Sequence, residues 1–413
     1  MNGVRTGSSG DKRDGPLAGV RVLELCQIAA GPFAGSLLAD LGADVVKIEN
    51  PDGGDGMRGW PPLTTGDEGG IYSENFASVN RNKRSVCVDL KDPEGIALIR
   101  KLIGECDVLI ENFRPGVLPR LGLGYDDVKG QNAKLIYCSI SGYGQEGPYS
   151  RKGAFDVAVQ GMSGLMSVTG NEGEQPVKCG VPVGDFCAGL YASYVILAAL
   201  LRLKADGTGA YIDCSMLGAL LGVSALQTSE YFGTGLPGRK LGSAHPRNAP
   251  YQAFQASDAY FIVAAGNDVL WREVCLAVGK PELFDDDRFR SQPDRANRQV
   301  ELAAILQREF SNRTVAEWLH ELDGRGVPCA PINSFSDVLS DPHVLAMDLI
   351  KPLVLPNRSQ TRTVGFPVKM SDYAFSIYRS PPLLGEHTDE VIGEWLGKDA
   401  AAVSDQQQRT FAI

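Results

Sequence analysis

Short apolar strands alternate with helical stretches through the N-terminal half of this chain, and that alternation limits the fold more than any other feature. Val20–Leu25 reads as a buried strand. Pro32 follows at the first turn of a helix running to about Leu41, Gly42 ends it, and Asp44–Glu49 is the next strand. Pro93–Ile103 reads as a helix, and Asp107–Ile110, Lys134–Ile140 and Tyr211–Cys214 as further strands. Strands separated by helices return in the same direction, so the expected fold class is α/β with a mostly parallel sheet. Ligands on such sheets bind beyond the carboxyl ends of the strands. Gln27–Gly31, Glu111–Gly116 and Ser141–Pro148 follow strand ends and are expected to wall one cleft.

The rest of the chain changes character. Phe186–Leu201 and Ser215–Phe232 are apolar helical runs, and Gly233–Pro250 is a Gly/Pro/basic linker. A smaller unit follows, with strands at Tyr251–Gln255 and Ala259–Ala264, helices near Val269–Val278, Asn297–Phe310 and Val315–Leu322, and a strand at Pro328–Ile332. A chain of 413 residues can bury more than one core. The expected division is a polar disordered tail over 1–14, a large domain over 15–225, a small domain with its linkers over 226–335, and a linker with a return to the large domain over 336–413.

Several function classes lose their support. A net charge of −10 speaks against a nucleic-acid binder. Phe186–Leu201 is the longest apolar run and falls short of a membrane span, so no membrane partner is expected. No leader peptide is read, and the nine cysteines form no Cys-x-x-Cys pair, which suits reduced thiols in a cytoplasmic protein. The four histidines are scattered, so no metal site is expected. Gly142–Gly147 matches G-x-G-x-x-G, but Pro148, Ser150 and Gly153 follow it with loop chemistry where a dinucleotide site needs an opening helix. P-loop, zinc-protease and nucleophile-elbow signatures are missing.

Gly180–Gly189 carries the sharpest chemical signal. It sets one acid, Asp185, between a Gly/Pro bend and the apolar helix. There Asp185 is either a helix cap or an ionised carboxylate held by helix-end amides and facing a cleft as a nucleophile. Asn80–Ser85 is a basic run, either a solvated turn or a place where Arg81 or Arg84 pairs with an anion. His245-Pro246-Arg247 has the same ambiguity. Asp156 and Gln160 stand one helical turn apart and read as a cap with an exposed amide.

Taken in order, Leu17–Leu25, Ala30-Gly-Pro, Leu41–Glu49, Asn80–Ser85, Glu111–Gly116, Ser141–Gly144, Gly184-Asp185 and Pro382–Thr388 resemble the class III CoA-transferases, the formyl-CoA and carnitine CoA-transferase family. The resemblance runs from about Pro16 to His387. It implies a large Rossmann-like domain built from both termini, a smaller central α+β domain, and a homodimer whose two chains interlock. The family nucleophile falls on Asp185, and its coenzyme A contacts on Gln27, Ala29, Ala30, Asn112, Phe113, Arg120 and Tyr143. The implied reaction forms a mixed anhydride and then an aspartyl-CoA thioester, with a CoA thioester as substrate and no permanently bound cofactor. Gly242-Ser-Ala-His-Pro stands where the formyl-CoA enzymes carry a tetraglycine loop, and Asn50 stands where they carry a basic residue. The succinyl-CoA:dicarboxylate branch is the nearer likeness, with Arg81 and His245 as its substrate-binding residues. Two other readings stay open. One is an α-methylacyl-CoA racemase, which needs a His–Asp pair where this chain has Phe155-Asp156. The other is a CoA-binding protein without catalysis.

Overall fold

The computed structural model describes residues 14–67 and 69–397. The tail expected over 1–14 therefore lies outside the described residues, apart from Asp14. The chain divides into two compact units. The first takes the described residues up to Leu165, then Cys179–Ser229, then those from Leu345 onward. The second takes Met166–Lys178 and Glu230–Val344. Residues 166–178, read from the sequence as part of the large domain, thus belong to the second unit.

The first unit is built on a six-stranded sheet: β1 (Arg21–Leu25), β2 (Asp44–Glu49), β3 (Arg84–Cys87), β4 (Val108–Glu111), β5 (Ile136–Ser141) and β6 (Ala210–Ser215). Its order is 3-2-1-4-5-6 and every pairing is parallel. That order reverses direction between β1 and β4, which opens a crevice beyond their carboxyl ends. The register pairs Leu25 with Glu111, so the residues that follow, Gln27 and Asn112, emerge side by side.

Asn80–Ser85 reads from the sequence either as a solvated turn or as a place where Arg81 or Arg84 pairs with an anion; the structure makes Arg84 and Ser85 the start of strand β3. All four of its residues are buried, as are the basic residues before it. Acids from neighbouring elements neutralise them. Lys83 Nζ lies 2.8 Å from Glu24 Oε2, and Lys47 Nζ lies 3.1 Å from Glu24 Oε1 and 2.9 Å from Asp55 Oδ2. Arg84 grips Asp44 through two bonds of 3.1 and 2.6 Å and reaches Glu390 and Glu394 on the C-terminal helix Thr388–Leu396. Burial pushes the Lys83 ammonium down to about 8, against the pull of the Glu24 carboxylate.

Helices α1 (Ala30–Asp40), α2 (Pro93–Glu105), α3 (Asp156–Met162), α4 (Val183–Asp206) and α5 (Met216–Val223) accompany the sheet. Helix α1 presses on β1 so closely that a methyl group at Gly35 would overlap the Glu24 carboxylate. Helix α4 crosses α1 at Gly189, where an added methyl would sit 2.8 Å from Ala30 O. Helix α4 is 24 residues long, and it is long and apolar enough to cross a membrane by length and composition. One stripe of it, including Ala188, Ala192, Ile196 and Leu200, is buried in the core of this unit. The run expected as one helix over Ser215–Phe232 is two, because Ser224 ends α5 and bonds its hydroxyl back to Leu220 O at 2.8 Å.

The second unit has a three-stranded antiparallel sheet of Cys329–Pro331, Tyr260–Ala264 and Tyr251–Gln255. Helices Asp268–Ala277, Gln299–Phe310 and Val315–Gly324 enclose a core of Phe254, Phe261, Trp271, Phe310 and Trp318.

Replacing Glu24 by Gln tests the buried ion cluster. Lys83 then keeps only the neutral acceptors Pro32 O and Asn80 Oδ1. A loss of about 3–5 kcal/mol in urea unfolding is expected. An unchanged midpoint would show that Glu24 supports neither lysine.

Candidate active site

The crevice between β1 and β4 widens into a cavity of about 430 Å³. Three loops and one helix end build its walls. On leaving β1 the chain turns through Ile28, which holds a φ of 68°. A β-branched residue in that region is strained, so something must hold it there. Asp55 does so: both its carboxylate oxygens accept the Ile28 N–H at 3.1 Å, and Lys47 fixes Asp55 from behind. The turn exposes Gln27, Ala29 and Ala30 to the cavity.

On leaving β4, Asn112 continues the sheet with its side chain. Its Oδ1 accepts the Gln27 N–H at 2.9 Å and its Nδ2 donates to Gln27 O at 2.8 Å. Glu111 accepts the Phe113 N–H at 2.9 Å, and burial pushes the Glu111 carboxyl up to about 7. Phe113 and Arg114 then face the cavity. The end of β5 contributes Ser141, and the loop after it contributes Gly142, Lys152 and Phe155. Its G-x-G-x-x-G stretch is a loop, with Gly144 and Gly147 at φ of 91° and 87°.

Helix α4 supplies Asp185 from its first turn. The sequence reads this carboxylate as one that helix-end amides keep ionised. Burial raises it to about 6, and the negative charge of Asp156 adds to the rise. Desolvation outweighs the helix-end field here, since the latter contributes only about 0.3–1 kcal/mol.

The structure therefore gathers Gln27, Ala29, Ala30, Asn112, Phe113 and Asp185 around one cavity. Three other expected residues stand elsewhere in the same unit. Tyr143 packs on the core beside Tyr149, with ring centres 6.0 Å apart, and does not line the cavity. Arg120 is exposed at the end of the one-turn helix Val117–Arg120. Arg81 corrects the expectation of a substrate-binding guanidinium. It is buried, paired through two nitrogens with Asp40, bonded to Ser78 O at 3.1 Å and stacked on Phe375. His245 lies in the second unit, where its Nδ1 accepts the N–H groups of Arg247 and Asn248 at 3.1 Å and shapes a turn. The sequence reading passed over the cations that do line the cavity, Arg114 and Lys152. Arg114 sat within a segment already read as a wall, so its position was the available signal. A smaller chamber of about 160 Å³ shares Gln27 and Phe113 and is lined further by Ile48, Asn50, Leu90 and Lys91.

A family model described as CoA-transferase family III matches residues 17–388. The chain belongs to that family. As a family III CoA-transferase it is an enzyme, and named transferases resemble it over most of their length. It is 39% identical to succinyl-CoA:glutarate CoA-transferase of Homo sapiens over 94% of this chain and 88% of that one. It is 40% identical to succinate–glutarate CoA-transferase of Agrobacterium fabrum over 92% of this chain and 96% of that one. Among solved structures, a CAIB/BAIF family protein from Brucella suis superposes with a TM-score of 0.83 at 37% identity, covering 92% of this chain and 99% of that one. The racemase reading is not favoured by these relatives, and the cavity presents Phe155, which carries no proton, where a racemase needs a base.

The raised Asp185 carboxyl has a consequence for stability. Between its ordinary value of 3.8 and about 6 the folded chain holds this proton while the unfolded chain loses it. Stability therefore falls as pH rises through that window, and the full penalty is present above it. Asp185→Asn should be about 1–3 kcal/mol more stable than the wild type at pH 8 and equal to it near pH 3. Equal chemical-denaturation curves at pH 8 would show that the carboxylate is not destabilised in the fold.

Proposed function

We propose that this family III CoA-transferase moves coenzyme A from succinyl-CoA to a small dicarboxylic acid of the glutarate type, through a covalent intermediate on Asp185. The observation that carries this reading is a half-buried carboxylate on a helix end, raised to about 6, in the wall of a cavity opened by the β1–β4 crevice. At neutral pH such a group is largely ionised, and it is more basic than an ordinary aspartate, which favours attack.

The sequence of steps conserves thioester energy. An Asp185 oxygen attacks the thioester carbonyl, the C–S bond breaks, and CoA leaves as a thiolate from the mixed anhydride. The thiolate then attacks the aspartyl carbonyl of that anhydride, and succinate leaves as its carboxylate. The acceptor acid runs the two steps in reverse, recovers the CoA and frees Asp185. No proton is gained or lost over the cycle. Each tetrahedral intermediate develops an oxyanion, and Ala29 and Ala30, at the head of α1 in the cavity wall, offer backbone N–H groups of the kind that stabilise one. The smaller chamber, lined by Ile48, Asn50, Val88, Leu90 and Lys91 beside the acids Glu49 and Asp89, suits the uncharged adenine end of CoA through its apolar surface. A diacid brings two charges, and Arg114 and Lys152 take the part expected of Arg81 in meeting them.

The same reading includes a homodimer of interlocked chains. Leu190, Tyr194 and Leu201 on α4, with Leu221, Val223 and Leu226 beyond it, are exposed in the single chain. Apolar surface gathered on neighbouring elements is a mark of a partner. The chain should sediment as a dimer at micromolar concentration, and a monomer would overturn this part.

Incubation with succinyl-CoA should give a hydroxylamine-sensitive CoA adduct on Asp185 by peptide mass spectrometry. Asp185→Ala should lose the adduct and at least about 10³-fold in exchange between succinate and glutarate. The kcat/KM profile should fall on its acid side near pH 6, because the protonated acid cannot attack. Normal turnover in Asp185→Ala would eliminate the covalent mechanism, and an unmodified wild-type chain with no transfer to any diacid would favour a CoA-binding protein.

A further inference from the structure

Helix α4 begins without help from its own sequence. Its capping position is Pro182, which offers no side-chain acceptor to the free N–H groups of the first turn. Helix α3 supplies what is missing. Asp156 Oδ1 accepts the Gly184 N–H at 2.8 Å, one residue before Asp185. Asp156 Oδ2 accepts a bond of 2.6 Å from Gln160 Nε2, one turn further along α3. The other end of that amide, Gln160 Oε1, accepts the Cys179 N–H at 2.8 Å. Gln160 is fully buried, contrary to the exposed amide read from the sequence. The bend 179–184 is thus held at both ends by two side chains that hold each other. Gly184 is part of the fit: a methyl there would lie 2.9 Å from Asp156 Oδ1 and 3.5 Å from Met216 and Leu220.

We propose that Asp156 and Gln160 are positioning residues for the transfer reaction, a two-point clamp on the 179–184 bend that aims the Asp185 carboxylate and keeps a fixed negative charge behind it. This inference rests on Asp185 as the group that accepts the acyl carbon. An uncharged cap such as Ser or Asn would satisfy the Gly184 N–H equally well. A carboxylate at this place costs energy through repulsion, and the reaction explains its use: the neighbouring charge makes Asp185 a stronger base without a metal or a second catalyst. Burial and Asp156 act in the same direction on Asp185. The other charged groups of the cavity are Arg114 from the loop after β4 and Lys152 from the loop after β5; α1 and α5 present Ala30 and Met216, which carry none. On the bend and on α4 itself the titratable neighbours are the thiols of Cys179 and Cys187, and burial pushes that of Cys187 up. Asp156 is therefore the negative charge that can be removed while a bond to Gly184 survives.

Two variants separate the two tasks. Asp156→Asn keeps an oxygen for the Gly184 N–H and deletes the charge; its amide nitrogen then faces Gln160 Nε2, so the bond to Gln160 is lost as well and the acid limb, not kcat, is the readout of the charge. Its acid limb in kcat/KM should move to lower pH by about half a unit or more, which a merely structural residue would not cause. Gln160→Leu keeps bulk and charge and releases Cys179. Its kcat should fall roughly tenfold or more while KM for succinyl-CoA stays within about twofold and the acid limb stays in place. If Gln160→Leu does not fold, Asp156→Asn decides alone, since its limb either moves or does not. An unmoved limb in Asp156→Asn, or an unaltered kcat in folded Gln160→Leu, overturns the clamp. Should the wild type form the Asp185 adduct and Asp185→Ala be inactive, that failure would belong to the clamp and not to the proposed function. Turnover in Asp185→Ala would instead remove the reading on which the clamp rests.

Discussion

Glu24 sits fully buried on β1 between two buried lysines, and the geometry of the site follows from that arrangement. Lys83, just before β3, meets one of its oxygens; Lys47 on β2 meets the other and also holds Asp55. Asp55 in turn holds Ile28 in a strained conformation, and Ile28 sets the loop that walls the cavity. The chain of ions runs from the middle of the sheet to the cavity. Its members are costly to bury alone, and a cluster of paired charges seldom stabilises a fold more than apolar residues would. It specifies instead. Each lysine has one place where its charge is matched, so β1, β2 and β3 have one register, and the strained turn has one partner that can hold it. The lack of a side chain at Gly35 leaves α1 room to lie over the Glu24 carboxylate.

Helix α4 carries the opposite logic. Its buried stripe is apolar or small, and Gly189 lets it approach α1 to within backbone contact. A rigid helix anchored along its length delivers its first turn to a fixed point. The one polar demand it makes, an acceptor for its leading N–H groups, is met by Asp156 of another element. The end of the helix and the cavity wall are therefore tied by the same carboxylate. Catalytic groups on regular elements are held more closely than those on loops, provided the supporting shell is itself fixed.

What could be read in the sequence follows from which forces are local. The alternation of Val22–Leu25, Val45–Ile48, Val108–Ile110 and Ile136–Ile140 with amphipathic helices is a local pattern, and the parallel sheet follows from it. Segments that leave strand ends are placed by topology, so Gln27–Ala30 and Asn112-Phe113 fall at the cavity with no knowledge of side-chain contacts. Strand β3 was illegible because Arg84-Ser85 looks solvated until Asp44, Glu390 and Glu394 are brought beside it from distant parts of the chain. Arg81 misled for the same reason: a guanidinium announces an anion, and only the fold reveals that the anion is Asp40. The start of α4 was hidden too. Pro182 and Gly184 look like a bend, yet the first turn of a helix needs no internal N–H partners, so both can stand at its beginning.

Asp185 concentrates the conflict between stability and chemistry in one side chain. A helix N-terminus draws a carboxylate toward the ionised form, while burial and the charge of Asp156 draw it the other way, and the second pair prevails. A carboxylate stabilised by many donors would be comfortable and unreactive, because every bond to its lone pairs must be broken before it can attack. Raised toward 6, it remains ionised in neutral solution and keeps electron density for a carbonyl carbon. On the proposed path through a covalent Asp185 intermediate, the same environment affects the return step. An aspartyl anhydride or thioester has no charge to desolvate, so a site that is unfavourable to the free anion is relatively favourable to the covalent states. The destabilisation of the resting carboxylate and the levelling of the intermediates along that proposed path are then one effect, produced by where α4 begins and by the acid that caps it.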